Sequence, residues 1–279
     1  MSESAAAPST HRSFAPVGDV WYDHCPICED SRIGCVWRIP FSKLGVVSDT
    51  EKLTLNGYAI QYFPMYGDVG RIYQYYACNA CESIFLNPQT SQTKTHYANP
   101  SNLGAQRKID RSRQGRDEAS WKGYIRNYER RIKPHLPAGT KVVLDAGCGG
   151  GQYLILTKED SEVQAKRLIG LELSPIAVDN LRVLGLEAYQ CDLDNSDSLL
   201  FLESGSVDFV IFAEIFEHTF FPFRSMSQLV RTLRPGGRLY FTAQRQDPKL
   251  PIRPSENQCI TELGLSTIVE KLGCHVVHR

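Results

Sequence analysis

The sequence has no net charge: 31 Lys and Arg stand against 31 Asp and Glu. Generic nucleic-acid binding rests on an excess of positive charge, so this balance disfavours that class. No run of 18 apolar residues occurs, and no membrane-spanning helix is expected. The opening MSESAAAPSTHRSFAP has neither the basic start nor the apolar centre of a secretory signal. Residues 1–17 therefore read as a disordered tail, and a cytoplasmic location is expected. Internal repeats are not evident, and low complexity is confined to that tail.

What remains is an ordinary globular composition, 42% hydrophobic and 22% charged. Its charge is uneven, because ten Lys and Arg against four Asp and Glu fall in residues 107–133. Such a stretch reads either as a solvated helix face or as a grip on an anionic acceptor. Nine cysteines in a chain expected to be cytosolic argue against a disulfide framework. Cys148, Cys191, Cys259 and Cys274 read as small packing residues.

Three zones follow the tail. Residues 18–99 hold short aromatic and β-branched runs, YAIQYF, GRIYQYYAC and SIFLNP, separated by turn residues; they predict a small antiparallel β module. Residues 100–138 form a polar, basic, helical linker or lid. In it Trp121, Tyr124, Ile125, Tyr128 and Ile132 recur at helical spacing as one apolar stripe. From 139 to 279 strands and helices alternate. KVVLDA, RLIGLEL, LEAYQCDL, SVDFVIFA and RLYFTA are strands; FRSMSQLVRTLRPGG is a helix closed by glycine. TELGLSTIVEKLG and CHVV are the last helix and strand. Alternation of this kind predicts an α/β fold, a doubly wound parallel sheet with ligands at the strands' carboxyl ends.

Within VVLDAGCGGGQYL, Asp145 ends the first strand and Gly147, Gly149, Gly150 and Gly151 follow. Gln152 stands where a third fingerprint glycine belongs, so G-x-G-x-x-G is incomplete and a bound pyrophosphate is disfavoured. Glu172 ends the second strand, where a carboxylate can accept ribose hydroxyls. Asp192 follows the third strand, where it can accept an adenine amino group. Three acids at successive strand ends suit a cationic or neutral adenosine, because their charge repels phosphates.

Those residues, with LIGLELSP, DFVIFAEIFEHTFFP and LRPGGRLYFTA, resemble the class I S-adenosylmethionine (SAM)-dependent methyltransferases. The resemblance implies a Rossmann-like sheet and SAM as cofactor. It places Asp145, Gly147 and Gly149, with Ala146 and Cys148 in the same turn, along the methionine part. Glu172 and Leu173 would serve the ribose, Asp192 and Leu193 the adenine. Glu214 would lie beside cofactor and acceptor. That family adds an antiparallel seventh strand after the sixth, whereas CHVVHR, where the sixth is expected, ends this sequence.

CPIC (Cys25, Cys28) and CNAC (Cys78, Cys81) are two C-x-x-C pairs. Their thiolates predict a closed, structural tetrahedral zinc site with no open catalytic position. His24 and Cys35 are alternative ligands. A cysteine-rich zinc module before such a sheet, with ACNACESIFLNPQ and HYANP, resembles bacterial sugar C-methyltransferases and natural-product methyltransferases. Small-molecule acceptors, among them sugar nucleotides, follow from that resemblance.

His218, after the fourth strand, is the candidate general base, and Glu217 its catalytic neighbour. His96, His135 and His275 lack such placement. Glu214, Glu217 and His218 form an E-x-x-E-H pattern. It resembles the metal-assisted O-methyltransferases of ubiquinone biosynthesis and of small-RNA 2′-O-methylation. The RNA enzymes carry a further histidine where RPSENQC offers Asn257 and Gln258. Three readings therefore stand: a small-molecule methyltransferase, a metal-assisted O-methyltransferase that includes RNA enzymes, and a non-catalytic SAM and zinc binding module. The dense tyrosines of YGDVGRIYQYY read as a packed β core or as an aromatic wall for an acceptor or sulfonium.

Overall fold

A computed structural model describes residues 20–40, 53–55, 58–60, 72–89, 94, 98, 118–243 and 258–278. The expected tail over 1–17, the basic residues of 107–117, His96 and Asn257 lie outside the described residues. Two compact units divide the chain. One holds Pro16–Lys94, Phe216–Ser227 and Ala243–Arg279; the other holds Thr95–Ile215 and Gln228–Thr242.

The cysteine-bearing unit begins with β1 (Ile33–Pro40). A two-stranded ribbon follows, β2 (Leu53–Leu55) against β3 (Tyr58–Ile60). Then β4 (Ile72–Cys78) pairs antiparallel with β1, and β5 (Ile84–Leu86) pairs antiparallel with β4. The aromatic and β-branched runs thus form antiparallel β structure. Tyr75, Ile84, Phe85 and Leu86 are buried in it.

The second unit opens with α1 (Glu118–Asn127), which widens into a π turn over Tyr128–Ile132 and tightens over Lys133–His135 before Pro137. Its apolar residues do not form one stripe. Tyr124, Tyr128 and Ile132 lie four apart on one row, and Tyr128 and Ile132 are fully buried. Trp121 is half-buried with its ring centroid 6.4 Å from that of Tyr124, and Ile125 is exposed.

The sheet then unrolls as β6 (Val142–Ala146), α2 (Gln152–Glu159), β7 (Arg167–Glu172), α3 (Pro175–Val183), β8 (Glu187–Gln190) and β9 (Val207–Ala213). Next come α4 (Pro222–Thr232) and β10 (Leu233–Thr242). The order is β10-β9-β6-β7-β8, parallel throughout. Val143, Leu144, Ile169, Leu171 and every residue of Val207–Phe212 except Asp208 are buried apolar groups, as strands covered on both faces require. Ser174 caps α3 by accepting from the Ala177 N–H, with Pro175 in the first turn. The Arg-Pro-Gly-Gly stretch, expected to close a helix, belongs instead to β10. It loops out of register between Leu233 and Arg238, which an edge strand tolerates.

The chain order departs from spatial order between β6 and β9. Successive strands run outward from β6 in opposite directions there. In open parallel sheets this switch point is where ligands bind, at the carboxyl edge.

The last described elements depart from expectation. The two residues of β11 (Gln258–Cys259) do not extend the parallel sheet; they pair antiparallel with β5. The helix expected in TELGLSTIVEKLG is α5 (Glu262–Lys271), capped by Thr261, and it too belongs to the cysteine-bearing unit. CHVV forms no strand, and Cys274, Val276 and Val277 are exposed. Among the described residues β10 is the last strand of the parallel sheet, and Gln258–Cys259 and Glu262–Lys271 group with the cysteine-bearing unit. Among the described residues no helix is long and apolar enough to cross a membrane.

Candidate functional site

The glycine turn joins β6 to α2 through three positive-φ glycines, Gly147, Gly149 and Gly151. Each has a different reason for lacking a side chain. A Cβ on Gly147 would lie 2.4 Å from Ile215 Cδ1, and one on Gly151 2.4 Å from Leu181 Cδ2. Those two glycines admit packing from β9's following loop and from α3. A Cβ on Gly149 would meet nothing within 4 Å. Gly149 faces open space, where a ligand can approach the backbone. Ala146 and Cys148 are buried, and Cys148 packs over Gly170.

Adjacent strands β6, β7 and β8 bring Asp145, Glu172 and Asp192 to one edge. Asp145 is buried, and its carboxyl is pushed up to about 8 by burial first and by the Glu172 charge second. The Glu172 carboxylate is engaged by backbone N–H groups. Its Oε2 accepts from the Gly149 N–H at 2.8 Å. Its Oε1 accepts from the Leu173 and Ser174 N–H groups at 2.8 and 3.0 Å. It thus ties the glycine turn to the end of β7, a role the sequence does not disclose. Asp192 Oδ1 accepts from the Asp194 N–H at 3.1 Å, which shapes the turn holding Leu193. Glu214 is exposed at φ 58 after β9, and its N–H is held by the Thr242 hydroxyl at 3.0 Å.

Tyrosines near Asp145 escaped the sequence reading. The Tyr124 and Tyr153 rings meet edge to face with centroids 5.5 Å apart. Burial, and after it the Asp145 charge, raises the Tyr124 phenol. Tyr153 is pushed up to about 12 by burial, with Tyr240, Asp145 and Tyr124 adding to it. The aromatic groups beside this edge come from α1, α2 and β10. A helical tyrosine row beside a glycine turn was the available signal.

In the other unit the four cysteines of the two C-x-x-C pairs converge. Cys25 and Cys81 Sγ lie 3.8 Å apart, Cys28 and Cys78 Sγ 3.6 Å, and all four fall within 4.8 Å of one another. A tetrahedron of Zn–S bonds near 2.3 Å has edges of about 3.8 Å. The four side chains are buried. A hydrogen bond with Cys25 lowers the Cys81 thiol to about 5, while burial pushes Cys78 up to about 11. Four buried thiolates without a cation would repel one another, so this donor set fits a divalent metal. Neither alternative ligand joins them: His24 is held by Asp23, and Cys35 is exposed.

The two knuckles share one backbone plan. Glu29 and Glu82 donate their N–H groups to the Cys25 and Cys78 carbonyls at 2.8 and 2.9 Å. Cys25 and Cys78 donate to the Asp30 and Ser83 carbonyls at 2.8 and 3.1 Å. CPICED and CNACES are thus two copies of one turn, a short repeat the sequence reading passed over. Its fifth residue stands at φ 60 in Glu29 and φ 58 in Glu82, a conformation that suits glycine. Both side chains are exposed. Replacing Glu82 or Glu29 by Gly is expected to raise stability by about 1 kcal/mol each, the scale of left-handed backbone strain. Denaturant titration of the single variants checks this; a loss of stability in both would show that the glutamates are not strained.

Glu217 and His218 lie in a short helical turn, Phe216–His218, of the cysteine-bearing unit; Glu217 is buried and His218 half-buried. Gln258, which falls in the region where the RNA enzymes carry histidine, is buried and holds that turn. Its Nε2 donates to the Phe216 and Thr219 carbonyls at 2.6 and 2.8 Å.

Residues 144–241 match the family described as "Methyltransferase domain". Among curated proteins, a ubiquinone biosynthesis O-methyltransferase of Nitrosococcus oceani is 33% identical over 122 residues, 42% of this chain and 50% of that protein. The tRNA (carboxymethyluridine(34)-5-O)-methyltransferase ALKBH8 of Macaca fascicularis is 32% identical over 40% of this chain and 16% of that protein. The chain thus spans half or less of the length of these relatives. Among solved structures, the plantazolicin methyltransferase BamL, in complex with a desmethyl analogue and S-adenosylhomocysteine, superposes with TM-score 0.45 at 18% identity, covering 65% of this chain and 71% of that one. Over 144–241 the chain therefore carries a methyltransferase domain by this family match.

Proposed function

We propose, on the premise that residues 144–241 form a methyltransferase domain, that the protein binds SAM at the carboxyl edge of β6, β7 and β8 and methylates a hydroxyl of a small-molecule acceptor. The observation that carries the reading is the buried Asp145 beside Glu172, behind a turn whose Gly149 faces open space. A pair of acids there attracts a cationic nucleoside and repels a phosphorylated one. The names of the curated relatives support an oxygen acceptor, and the ubiquinone-pathway relatives support a small molecule.

Bound there, SAM supplies an electrophilic methyl group. Asp145 and the turn from Ala146 to Gly149 hold its methionine end; Glu172 with Leu173 and Asp192 with Leu193 hold ribose and adenine. Glu172 organises the loop and receives the ligand with the same carboxylate. His218 would take the proton of an acceptor hydroxyl, with Glu217 its neighbour in the same turn. Zinc in the four-cysteine cluster is structural. An anionic acceptor would suit the basic 107–133 segment.

Calorimetric titration with SAM tests the cofactor half. Glu172→Ala is expected to weaken binding at least tenfold, through lost ligand contacts and a loosened Gly149 turn. Unchanged affinity would remove Glu172 from the site. Methyl transfer from labelled SAM to catechol, used as a small hydroxyl probe, and to bulk tRNA tests the acceptor half. His218→Ala is expected to lower catechol turnover on the order of a hundredfold or more, the usual range for a general base, with SAM affinity within about twofold. Equal losses of turnover and affinity would make His218 structural. Salt-sensitive transfer to tRNA alone would replace the small-molecule reading with an RNA one.

A further inference from the structure

The turn bearing Glu217 and His218 is held by groups distant in sequence. Gln258 contributes both N–H bonds of its amide, to Phe216 O and Thr219 O, and its Oε1 accepts from Gln89 Nε2 at 2.9 Å. Both glutamines are buried. Gln89 is itself fixed by backbone bonds to Val20 at 3.0 and 2.9 Å. Tyr22 gives its hydroxyl to Phe220 O at 2.7 Å, and the Asn87 side chain clamps the Tyr22 backbone by two 2.9 Å bonds. Phe223 N–H reaches the carbonyl of Pro26, the second residue of the first cysteine knuckle, at 3.4 Å.

The same C-terminal segment that supplies Gln258 is anchored on both knuckles. Thr261, next but one after Cys259 of β11, bonds the Cys81 carbonyl and caps α5 by accepting from Gly264 N–H at 2.9 Å. Its N–H donates to Ser83 Oγ at 3.2 Å. Gly264 leaves no room for a side chain there, since a Cβ would lie 2.4 Å from Ser83 Oγ. At the far end of α5, Lys271 bonds the Cys28 carbonyl. The cysteine cluster therefore fixes both ends of α5, α5 and β11 fix Gln258, and Gln258 fixes the turn.

We propose that Gln258 is a positioning residue for His218, and that the four-cysteine cluster anchors the same turn through α5 and β11. The inference rests on the reading of His218 as the base. A buried primary amide is suited to the work: it satisfies two carbonyls at once, and an apolar residue of the same size leaves both unsatisfied. Misplacing a reacting group by 1 Å costs about a hundredfold in rate, so a clamp of this kind has a catalytic effect without touching substrate.

The test compares wild type, Gln258→Met and Gln89→Ala as full-length protein. It reads the His218 Cε1–H resonance and titration curve by NMR, amide exchange at Thr219, and SAM affinity by calorimetry. Gln258→Met is expected to shift the His218 resonance and titration and to speed Thr219 exchange on the order of tenfold, the scale of one or two lost hydrogen bonds. SAM affinity stays within about twofold. Gln89→Ala moves the same signals less. An unaltered His218 signal and Thr219 exchange in Gln258→Met overturns the proposal, as does a parallel loss of SAM affinity. If Gln258→Met does not fold, Gln89→Ala decides by the same readouts. Failure of the wild type to bind SAM would sink the functional reading while leaving the His218 and exchange measurements interpretable.

Discussion

If the four-cysteine cluster holds zinc as proposed, removing the metal, by chelation or by Cys81→Ser, is expected to unfold the cysteine-bearing unit. The described core of that unit is small: Tyr22, Ile27, Tyr75, Phe85, Leu86, Phe216, Phe220 and Ile268 are its larger buried apolar side chains. Its longest paired strands are β1 and β4, and β5 and β11 have only three and two residues. Domain stability is typically about 5–15 kcal/mol, and a structural zinc site supplies roughly 10–16 kcal/mol at neutral pH. A zinc ion bound there would therefore contribute as much as a whole small domain's net stability. Serine at 81 removes a thiolate and leaves three buried sulfurs with no complete tetrahedron. Elemental analysis of the purified full chain should find a single zinc ion, and limited proteolysis after chelation should cleave both 72–89 and 258–278 while sparing β6 to β9. The pairing of those two cleavages matters, because β5 and β11 share one sheet and Thr261 and Lys271 bond the knuckle carbonyls. A metal-free chain with unchanged resistance to proteolysis would show that thiol packing alone holds the unit.

The parallel sheet was legible because its signal is local and repeated. β6 and β7 are apolar runs that close on Asp145 and Glu172, and α2 and α3 begin with a glycine turn and a serine cap. The adjacency of β6, β7 and β8 then brings the three acids to one edge, as expected from the order of the motifs. The cysteine set was legible for a different reason. Two C-x-x-C pairs constrain each other chemically whatever the chain does between them, and the 49 intervening residues do not weaken that constraint. What the sequence concealed was partnership. TELGLSTIVEKLG reads as a helix and is one, but the side it packs on depends on Thr261 reaching Cys81 and on β11 reaching β5, contacts separated by more than 170 residues. Gln258 offered no pattern at all, since a buried amide is defined only by the carbonyls it meets. Ile125 shows the converse limit: it had helical spacing, but the inward row runs through Tyr124, Tyr128 and Ile132.

Asp145→Asn is expected to abolish the pH dependence of SAM binding, lower affinity at pH 8 by about thirtyfold or more, and stabilise the free protein. The unfolded carboxyl ionises near its ordinary 3.8, whereas burial, with Glu172 adding to it, holds the folded group neutral to about 8. The folded state therefore binds a proton that the unfolded state has released across that window. Stability from this group is complete below about pH 4, declines as pH rises, and is lost once pH passes about 8. Asparagine keeps the size and the hydrogen-bonding capacity without the ionisation, so its variant should lack this decline and melt higher than wild type at pH 8. Ligand binding runs the other way. A cation beside Asp145 favours the carboxylate, so binding below pH 8 must expel the proton. Wild-type affinity should rise by up to tenfold per pH unit between about pH 6 and 8 and then level. Calorimetry in two buffers of different ionisation enthalpy measures that proton directly. The thirtyfold loss at pH 8 corresponds to about 2 kcal/mol, the range for a hydrogen bond to a charged group. S-adenosylhomocysteine lacks the sulfonium charge and should show a shallower slope, so the site would hold the donor more tightly than the product as Asp145 ionises. A SAM affinity independent of pH from 6 to 8, in a wild-type chain that binds it, would place the charge of the ligand away from Asp145.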